Sequence, residues 1–414
     1  MRCPDDSLLD RRRLLTGGAA SLALWSLMPR QASAATRDPR LLVVILRGGL
    51  DGLATVAPVG DPTYAALRGD IALPSSGDGA ALPLDGTFSL NAMMPNLHAM
   101  YGRKQALIVH AVHTPYRERS HFDGQDVLES GLPGFSRPED GWLNRALTQL
   151  PNAGRADPRG LTLGAMVPLV MRGKAPVLSW IPKVAGIPLR ESTIARLTDL
   201  YAQTDPVLAK AFAQGLRIGA IADESEKSAA ATAGAPAPSG PRPHRDFVEP
   251  AEAASRFMSA PEGPRIGVLS YNGWDTHAFE GPTRGQLANR LAALDAELLA
   301  FATSMGPAWK DTVAVVVTEF GRTVRVNGTA GTDHGMATAA LVIGGAIGGG
   351  RVLADWPGLA DKDLHEGRDL KPTLDLRAVF KGVLRDHIGV PGRALDEIVF
   401  PQSAAIKPVS GLLV

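Results

Sequence analysis

The feature that most constrains the fold is an unbroken apolar run, LLVVIL, at residues 41–46. A continuous apolar run of this length is typical of a strand buried on both faces, as in a parallel sheet covered by helices. Four further runs are predicted strands: 106–112, 265–270, 312–318 and 339–343. Leucines and alanines recur every three or four residues over 283–305, which predicts a helix. Strands that alternate with helices predict an α/β fold with a doubly wound, mostly parallel sheet and helices on both faces.

The first 34 residues predict an export signal. Three arginines at 11–13 precede the apolar stretch 14–28, and an Ala-x-Ala site ends at Ala34, a pattern that predicts cleavage there. The paired arginines before two leucines resemble a twin-arginine signal, which exports folded proteins. A membrane anchor is the alternative, but the apolar stretch is shorter than the roughly 20 residues that a span needs. We therefore expect export by the twin-arginine machinery to the periplasm or the exterior, without a stable membrane anchor.

The composition limits the chemistry. The single cysteine, Cys3, lies inside the predicted signal, so the mature chain would have no disulfide, thiolate metal site or cysteine nucleophile. The net charge is +1, from 43 basic and 42 acidic residues. A nucleic-acid-binding surface would need a basic stripe, which the sequence lacks. We therefore expect no nucleic-acid partner.

Residues 35–414 are predicted to form one domain. Within it, the segment 223–256 contains a proline-rich stretch that is nearly free of large apolar side chains. Such a composition cannot anchor a core, so the segment is predicted to be a mobile surface insertion. The helical pattern before it, 194–221, is expected to pack on the domain as part of a lid or cap.

Candidate site residues follow the predicted strands, at the edge where open α/β sheets bind ligands. Asp51 comes after the first strand and either offers an oxygen to a cation or forms an Asp-Gly turn. Ser120 either caps a helix, with Asp123 three residues later, or acts as a nucleophile at the helix start. Arg119 beside it either clamps an oxyanion or lies in solvent.

Two more segments carry nitrogen and oxygen ligands. Asp275 and His277 lie two positions apart in an extended stretch, so their side chains project together, as suits zinc or manganese. Such a pair also arises by chance. Glu319 ends a predicted strand, and His334 precedes the next one. Asp333 is either a turn residue or a partner that orients His334.

In this order, the motifs GGLDGL, HTPYRERSHFDGQD, GWDTH, TEFGRT and DHG resemble the exported bacterial family known as domain of unknown function 1501. They also resemble the wider alkaline phosphatase superfamily, which includes phosphatases and sulfatases. The resemblance covers nearly all of the mature chain and implies an alkaline phosphatase-like fold. It further implies metal-dependent hydrolysis of phosphate or sulfate esters of a small molecule or glycan, with one or two divalent ions (Zn, Mn, Mg or Ca).

The same resemblance implies roles for individual residues. The residues that match metal ligands are Asp51, Asp275, His277, Glu319 and His334. Ser120 matches the nucleophile, with Thr114 as its rival. Arg119 and Arg322 are expected to stabilise the oxygens of the transition state.

Two departures from the superfamily pattern bear on these roles. Glu319 and Phe320 stand where the superfamily usually has Asp-His, which removes one imidazole. Asp275 and His277 are also closer in sequence than the usual pair. The alternative function is therefore a non-catalytic periplasmic or envelope-associated binding protein that keeps the fold.

Overall fold

The first apolar run lies in the central strand of the sheet. In the computed structural model this strand, β1, spans Arg40–Arg47 and is flanked by a hydrophobic core on each side. Leu41 and Val43 pack into one core, whereas Leu42 and Val44 pack into the other. Because all four side chains are at most 1% exposed, the strand is buried on both faces, as predicted.

The structure describes residues 37–150, 159–180 except 165, 191–216 except 207, 210, 211 and 214, and 244–414. Residues Pro39–Val414 form one compact unit. The predicted signal, 1–34, lies outside the described residues. Over the described ranges, no helix combines the length and the apolar character that crossing a bilayer requires.

The strands of the described residues are β1 (Arg40–Arg47), β2 (Val56–Ala57), β3 (Leu82–Pro83), β4 (Ser89–Leu90), β5 (Ala106–His113), β6 (Gly160–Leu163), β7 (Val177–Trp180), β8 (Ile266–Asn272), β9 (Thr312–Val317), β10 (Thr338–Ile343), β11 (Arg351–Leu353) and β12 (Leu374–Asp375). The predicted runs correspond to β1, β5, β8, β9 and β10, so all five predicted strands are confirmed. The short strands of two to four residues were not predicted, namely β2, β3, β4, β6, β7, β11 and β12.

The helices of the described residues are α1 (Gly52–Thr55), α2 (Tyr64–Arg68), α3 (Pro95–Gly102), α4 (His121–Ser130), α5 (Trp142–Thr148), α6 (Glu191–Thr204), α7 (Arg245–Ser259), α8 (Gln286–Ser304), α9 (Leu376–Val383) and α10 (Gly392–Ala394). Short 3₁₀ turns span Gly69–Ile71, Leu169–Met171, Gly306–Asp311 and Asp361–Asp363, and π-helical turns span Leu384–Ile388 and Leu395–Val399. Helix α8 is the one predicted over 283–305.

The main sheet has the strand order β11-β5-β10-β9-β1-β8-β6-β7, and β12 also pairs with β5. Strand β10 is antiparallel to β5 and β9, whereas the other pairs are parallel. A mostly parallel sheet is therefore confirmed. Because β10 runs against its neighbours, its first residue lies at the edge where the parallel strands end.

Helices cover both faces of this sheet. Helices α5 and α9 contribute Trp142 and Phe380 to one core. Helices α3, α7 and α8 contribute Leu97, Phe257 and Leu291 to the other. Each face of the sheet thus has its own helical layer, which confirms the doubly wound α/β arrangement.

The segment predicted as an insertion, 223–256, is described only in part. Residues 217–243 lie outside the described residues. Helix α7 occupies the end of the segment and buries Ala251 and Ala254 in a hydrophobic core. Of the helical pattern predicted over 194–221, the structure describes α6 and a few residues after it.

Candidate metal centre

Loops at one edge of the sheet carry the polar side chains of the candidate site. Strand β5 leads to α4, whose first residue is His121, and β8 leads to Asp275 and His277. Glu319 follows β9. His334 precedes β10, and because β10 is antiparallel its start lies at this same edge. Topology alone therefore gathers residues from distant parts of the chain.

Three imidazoles and one carboxylate converge on a single point. The Nε2 atom of His334 lies 2.9 Å from the Nε2 atoms of both His121 and His277. The Oδ1 atom of Asp275 lies 3.0 Å from Nε2 of His277 and 3.3 Å from Nε2 of His121 and of His334. The ligand atoms of His121, Asp275 and His334 all lie within 4.8 Å of one another. The structure thus brings together three residues proposed from the sequence and adds His121.

Each imidazole has its other ring nitrogen, Nδ1, next to a hydrogen-bond acceptor. These contacts are His121 to Glu319 Oε1 at 2.8 Å, His277 to Asp333 Oδ1 at 3.2 Å, and His334 to the Arg119 carbonyl oxygen at 2.8 Å. A neutral ring that donates through Nδ1 leaves the lone pair of Nε2 free. We assign this tautomer to all three rings from the hydrogen-bond network. Three such lone pairs beside a carboxylate repel one another, and a cation between them removes the repulsion.

The donor set fits a divalent ion of the zinc or manganese type. Bonds of ~2.0–2.2 Å at tetrahedral angles place neighbouring ligand atoms roughly 3.3 Å apart. The closest separations in the cluster run from 2.9 to 3.3 Å, which is close to that spacing. Imidazole nitrogens favour transition-metal ions such as Zn over Mg and Ca, which prefer oxygen ligands, and the Asp275 carboxylate also suits Mn. The cluster is therefore a candidate site for one such ion.

Arg322 holds Asp275 in place. Its buried guanidinium donates to Asp275 Oδ1 at 2.6 Å, to the Thr332 hydroxyl at 3.2 Å and to the Thr332 carbonyl oxygen. Partial burial alone would raise the pKa of Asp275, but the hydrogen bond and charge of Arg322 outweigh it and lower the pKa. The carboxylate is therefore charged at neutral pH. Arg322, expected to stabilise transition-state oxygens, thus contacts the same Asp275 oxygen that faces the imidazoles.

Glu319, proposed from the sequence as a metal ligand, lies behind His121. Its carboxylate is fully buried and accepts hydrogen bonds from the Gly48 amide, Gln125 Nε2 and the Thr318 hydroxyl at 2.9, 3.1 and 2.9 Å. Burial alone would raise the pKa of Glu319, but the hydrogen bond with His121 and those from Gln125 and Gly48 lower it. Such a carboxylate fixes the tautomer and orientation of a ligating imidazole. The structure thus places Glu319 one contact away from the convergence point.

Asp51 is not among the described groups that converge on the imidazoles. It caps α1 by accepting a hydrogen bond from the Ala54 amide at 2.9 Å. Its other carboxylate oxygen pairs with the buried guanidinium of Arg68. Burial, followed by the charge of Asp51, raises the pKa of the adjacent buried Glu280. The carboxylate proposed as the first-strand metal ligand is therefore neutralised by an arginine.

Ser120 and Thr114, the two candidate nucleophiles, differ in availability. Ser120 occupies the N-cap position of α4, but its side chain makes no capping hydrogen bond. The Ser120–Asp123 capping box is therefore not formed. Thr114 is 4% exposed, and its hydroxyl donates to the Glu319 carbonyl oxygen at 3.1 Å. Of the two, Ser120 is the more exposed, and its hydroxyl lies beside that of Tyr116.

Arg119 orients His334 through its backbone. Its φ of 61° lies in the left-handed region, which costs energy for a residue with a side chain. The guanidinium is held by Asp369 and Glu366, with one contact of 2.7 Å to each. This anchoring maintains the turn in which the Arg119 carbonyl oxygen faces His334. The side chain expected to hold substrate oxygens is thus already ion-paired.

His121 is the candidate ligand that sequence patterns did not single out. Its ring stacks on Phe320, with ring centroids 4.8 Å apart and an interplanar angle of 29°. The aromatic residue that stands where an imidazole was expected therefore supports an imidazole supplied by another segment. The available signal was the position of His121 beside Ser120, at the predicted start of a helix.

Several solved structures are similar to this chain. Ps i-CgsB in complex with k-i-k-neocarrahexaose is 11% identical, with 89% of this chain and 77% of that one covered and a TM-score of 0.42. The phosphonate monoester hydrolase of Agrobacterium radiobacter is 12% identical, with 85% of this chain and 74% of that one covered and a TM-score of 0.40. The C-terminal periplasmic domain of EcEptC from Escherichia coli, in complex with Zn, is 10% identical. The comparison covers 92% of this chain and 93% of that one, with a TM-score of 0.37.

The sequence itself matches a family. No curated protein matches the chain. Residues 95–399 match the family described as "Protein of unknown function (DUF1501)". This match covers well over half of the chain and includes His121, Asp275, His277 and His334. The protein therefore belongs to the DUF1501 family, as its motifs predicted.

Proposed function

We propose that this protein is an exported, metal-dependent hydrolase of phosphate or sulfate esters. The observation that supports the proposal is the convergence of three imidazole Nε2 atoms and the Asp275 carboxylate, with every Nδ1 already engaged. When bound there, a divalent ion such as Zn or Mn would act as a Lewis acid toward an ester oxygen. With four protein side chains as ligands, an ester oxygen would take a further coordination position, and Ser120 precedes the proposed ligand His121 in the sequence.

In this proposal Ser120 is the nucleophile. Its hydroxyl is adjacent to His121 in sequence and lies at the N-terminus of α4, where the helix dipole stabilises developing negative charge. The Ser120 oxygen would form a bond to phosphorus or sulfur as the bond to the leaving alcohol breaks. Water would then hydrolyse the ester of Ser120 and restore its hydroxyl. Arg322 and the Arg119 backbone act as positioning groups, since they hold Asp275 and His334.

Metal content and turnover test this function together. We expect purified mature protein to contain zinc or manganese near stoichiometry and to hydrolyse a nitrophenyl phosphate, phosphodiester or sulfate. Asp275→Asn should lose both metal and turnover. Asp361→Asn removes an exposed carboxylate that pairs with Arg325 and should lose neither. Metal far below stoichiometry in protein isolated from its native export route would contradict the proposal.

Ser120→Ala separates the nucleophile from the metal. We expect this variant to keep its metal and to lose turnover, because only the attacking oxygen is removed. The Thr114→Ser variant keeps a hydroxyl at the rival position and should remain active. Full turnover by Ser120→Ala would exclude Ser120 as the nucleophile.

Export by the twin-arginine machinery to the periplasm or exterior belongs to the same proposal. It is supported by the arginines at 11–13, the apolar stretch 14–28 and the Ala-x-Ala site. Replacing Arg12 and Arg13 by lysine should leave the uncleaved precursor inside the cell. Unchanged export of this double variant would rule out the twin-arginine route.

One observation favours the alternative, a non-catalytic envelope or periplasmic protein that uses the metal for binding. Both arginines expected beside the substrate, Arg119 and Arg322, are already ion-paired. Stoichiometric metal without turnover of any ester in the panel would support this alternative over the hydrolase.

A further inference from the structure

A cleft of about 580 Å³ opens at the same edge of the sheet as the metal centre. Arg47 and Asn272, the last residues of β1 and β8, line it together with Leu163 at the end of β6. A cavity of this size falls within the range of small-molecule sites. The carboxyl ends of these strands are also where open α/β sheets bind ligands.

A polar chain of contacts joins this cleft to the metal centre. Arg47 donates to Gln125 Oε1 at 2.9 Å, and the amide nitrogen of Gln125 donates to Glu319 at 3.1 Å. Glu319 in turn accepts from His121. Since His121 and Gln125 lie one turn apart on α4, about 6 Å of helix separates them. The cleft and the metal centre are therefore separated by only a few side chains at this edge of the sheet.

The inner wall of the cleft is electrostatically satisfied. The Arg47 guanidinium contacts the Ser270 hydroxyl at 2.7 Å and pairs with the buried carboxylate of Glu129. Glu129 also accepts a hydrogen bond from the Val170 amide at 3.0 Å. These groups hold the wall of the cleft in place and have little capacity to bind a ligand.

The outer wall carries positive charge that has no fixed partner. Arg137 and Arg172 line the cleft with exposed side chains. Among the described residues, Arg137 has no ion-pair partner and Arg172 bonds only the Val167 carbonyl oxygen, at 3.0 Å. Among the described residues that line the cleft, Asp126 and Glu129 are the carboxylates, and both interact with Arg172. Because Glu129 is already paired with Arg47, the two exposed guanidinium groups outnumber the carboxylates left to oppose them, which favours an anionic ligand group that they can bind bidentately.

We propose that the cleft binds a second anionic group of the substrate, so that the preferred ester carries an additional phosphate, sulfate or carboxylate. The additional group contacts Arg137 and Arg172 while the reacting ester lies at the metal centre. Leu163 and Val167 on the cleft wall contact the organic body between the two groups. This inference rests on the proposed hydrolase function for the reaction but makes a separate statement about binding.

Non-hydrolysable ligands test the binding statement directly. Alkane-α,ω-diphosphonates of increasing chain length would be titrated calorimetrically into the metal-loaded mature protein, alongside alkyl monophosphonates of the same lengths. At one or more chain lengths we expect the diphosphonate to bind about tenfold or more tightly, the typical gain from a hydrogen bond to a charged group. This preference should shrink as salt concentration rises.

Arginine variants test whether the preference for diphosphonates arises from the cleft. Arg137→Gln combined with Arg172→Gln should reduce the diphosphonate affinity to that of the monophosphonate and leave the monophosphonate affinity unchanged. Arg385→Gln combined with Arg393→Gln removes the same charge from exposed ion pairs elsewhere and should preserve the preference. Equal affinity of both ligand classes in the wild type at every length would overturn the proposal, as would an equal loss in the control pair.

The two proposals fail differently. Hydrolysis of nitrophenyl phosphate without any diphosphonate preference would remove only the second-anion site. An arginine-dependent diphosphonate preference in a protein that hydrolyses no ester would remove only the hydrolase function.

Discussion

At the scale of single residues, the three imidazoles are held by acceptors of different strength. Glu319, which orients His121, is fully buried and saturated with hydrogen bonds. Asp333, which orients His277, has a side chain that is 50% exposed. A buried charged acceptor holds its partner more firmly than an exposed one, because water competes less. We therefore expect the orientation of His121 to depend more on Glu319 than that of His277 depends on Asp333.

Glu319→Gln should weaken metal binding by roughly 10–100-fold, the usual cost of removing an outer-shell carboxylate. The amide keeps the size of the side chain but loses the charge that fixes the His121 tautomer. Competition with a chelator of known affinity measures the change. Asp333→Asn is the matched comparison and should have a smaller effect. A larger loss in Asp333→Asn than in Glu319→Gln would contradict this ranking.

Glu297 is a buried carboxylate away from the site, in the middle of α8. The Tyr271 hydroxyl interacts with its carboxylate, and apart from that group neither carboxylate oxygen has a hydrogen-bond partner among the described residues. Burial raises the pKa of Glu297 well above its usual value, and the nearby Tyr271 hydroxyl offsets this only in part. A raised pKa means that the ionised form destabilises the folded state. Stability is therefore lost as pH rises from the unfolded pKa toward the folded one.

Glu297→Gln should consequently raise the free energy of unfolding at pH 7.5 by on the order of 1–3 kcal/mol. At a pH below the ordinary glutamate pKa the two proteins should be nearly equal, since the wild-type carboxyl is then protonated in both states. Urea unfolding at both pH values measures the difference. A gain of the same size at both pH values would show that ionisation of Glu297 is not its cause.

At the scale of elements, Gly48 lets the end of β1 approach the loop after β8. Its φ is +123°, and a Cβ there would lie 2.5 Å from the Asp275 amide nitrogen. The Gly48 amide also donates to Glu319. This one residue therefore contacts both the loop that carries Asp275 and the carboxylate that orients His121. The close approach explains why a glycine follows the central strand.

Gly48→Ala should lower both the free energy of unfolding and the metal affinity. The added methyl group collides with backbone and displaces Asp275, in addition to straining φ. Gly77→Ala is the matched control, because Gly77 also has a positive φ of 83° but nothing within 4 Å of its Cβ position. Denaturant midpoints and chelator competition should show a stability loss in both variants and a loss of metal affinity only in Gly48→Ala. Unchanged metal affinity in Gly48→Ala would mean that the loop does not depend on this contact.

The longer strands were predictable because a strand that is buried on both faces of a sheet needs apolar residues at nearly every position. The strands that were not predicted have two to four residues each, too few for periodicity to distinguish them from loops. The site was partly predictable, since topology brings strand ends together and thereby identifies Asp275, His277 and His334. The roles of Asp51 and Glu319 depend on Arg68 and on His121, 198 residues from Glu319. No local pattern reveals such tertiary partners.

At the scale of the whole molecule, the candidate metal centre joins distant segments of the chain. Its proposed ligands lie on the connections after β5 and β8 and before β10, and His121 and His334 are 213 residues apart. An ion bound to all of them is a link that the unfolded chain does not have. Metal binding and unfolding are therefore coupled, and the stabilisation follows from mass action on the folded state.

Metal should raise the free energy of unfolding by about 2.7 kcal/mol when its free concentration is 100 times Kd, and chelation should reverse the gain. Thermal unfolding in buffered zinc or manganese measures this increment.

Asp275→Asn also leaves the buried Arg322 guanidinium without its ion pair, so the metal-free variant should already be less stable than wild type. The informative quantity is thus the metal-dependent increment within each protein. We expect it to vanish in Asp275→Asn and to persist in Asp361→Asn. An increment of equal size in both variants would mean that the stabilising metal binds outside the cluster.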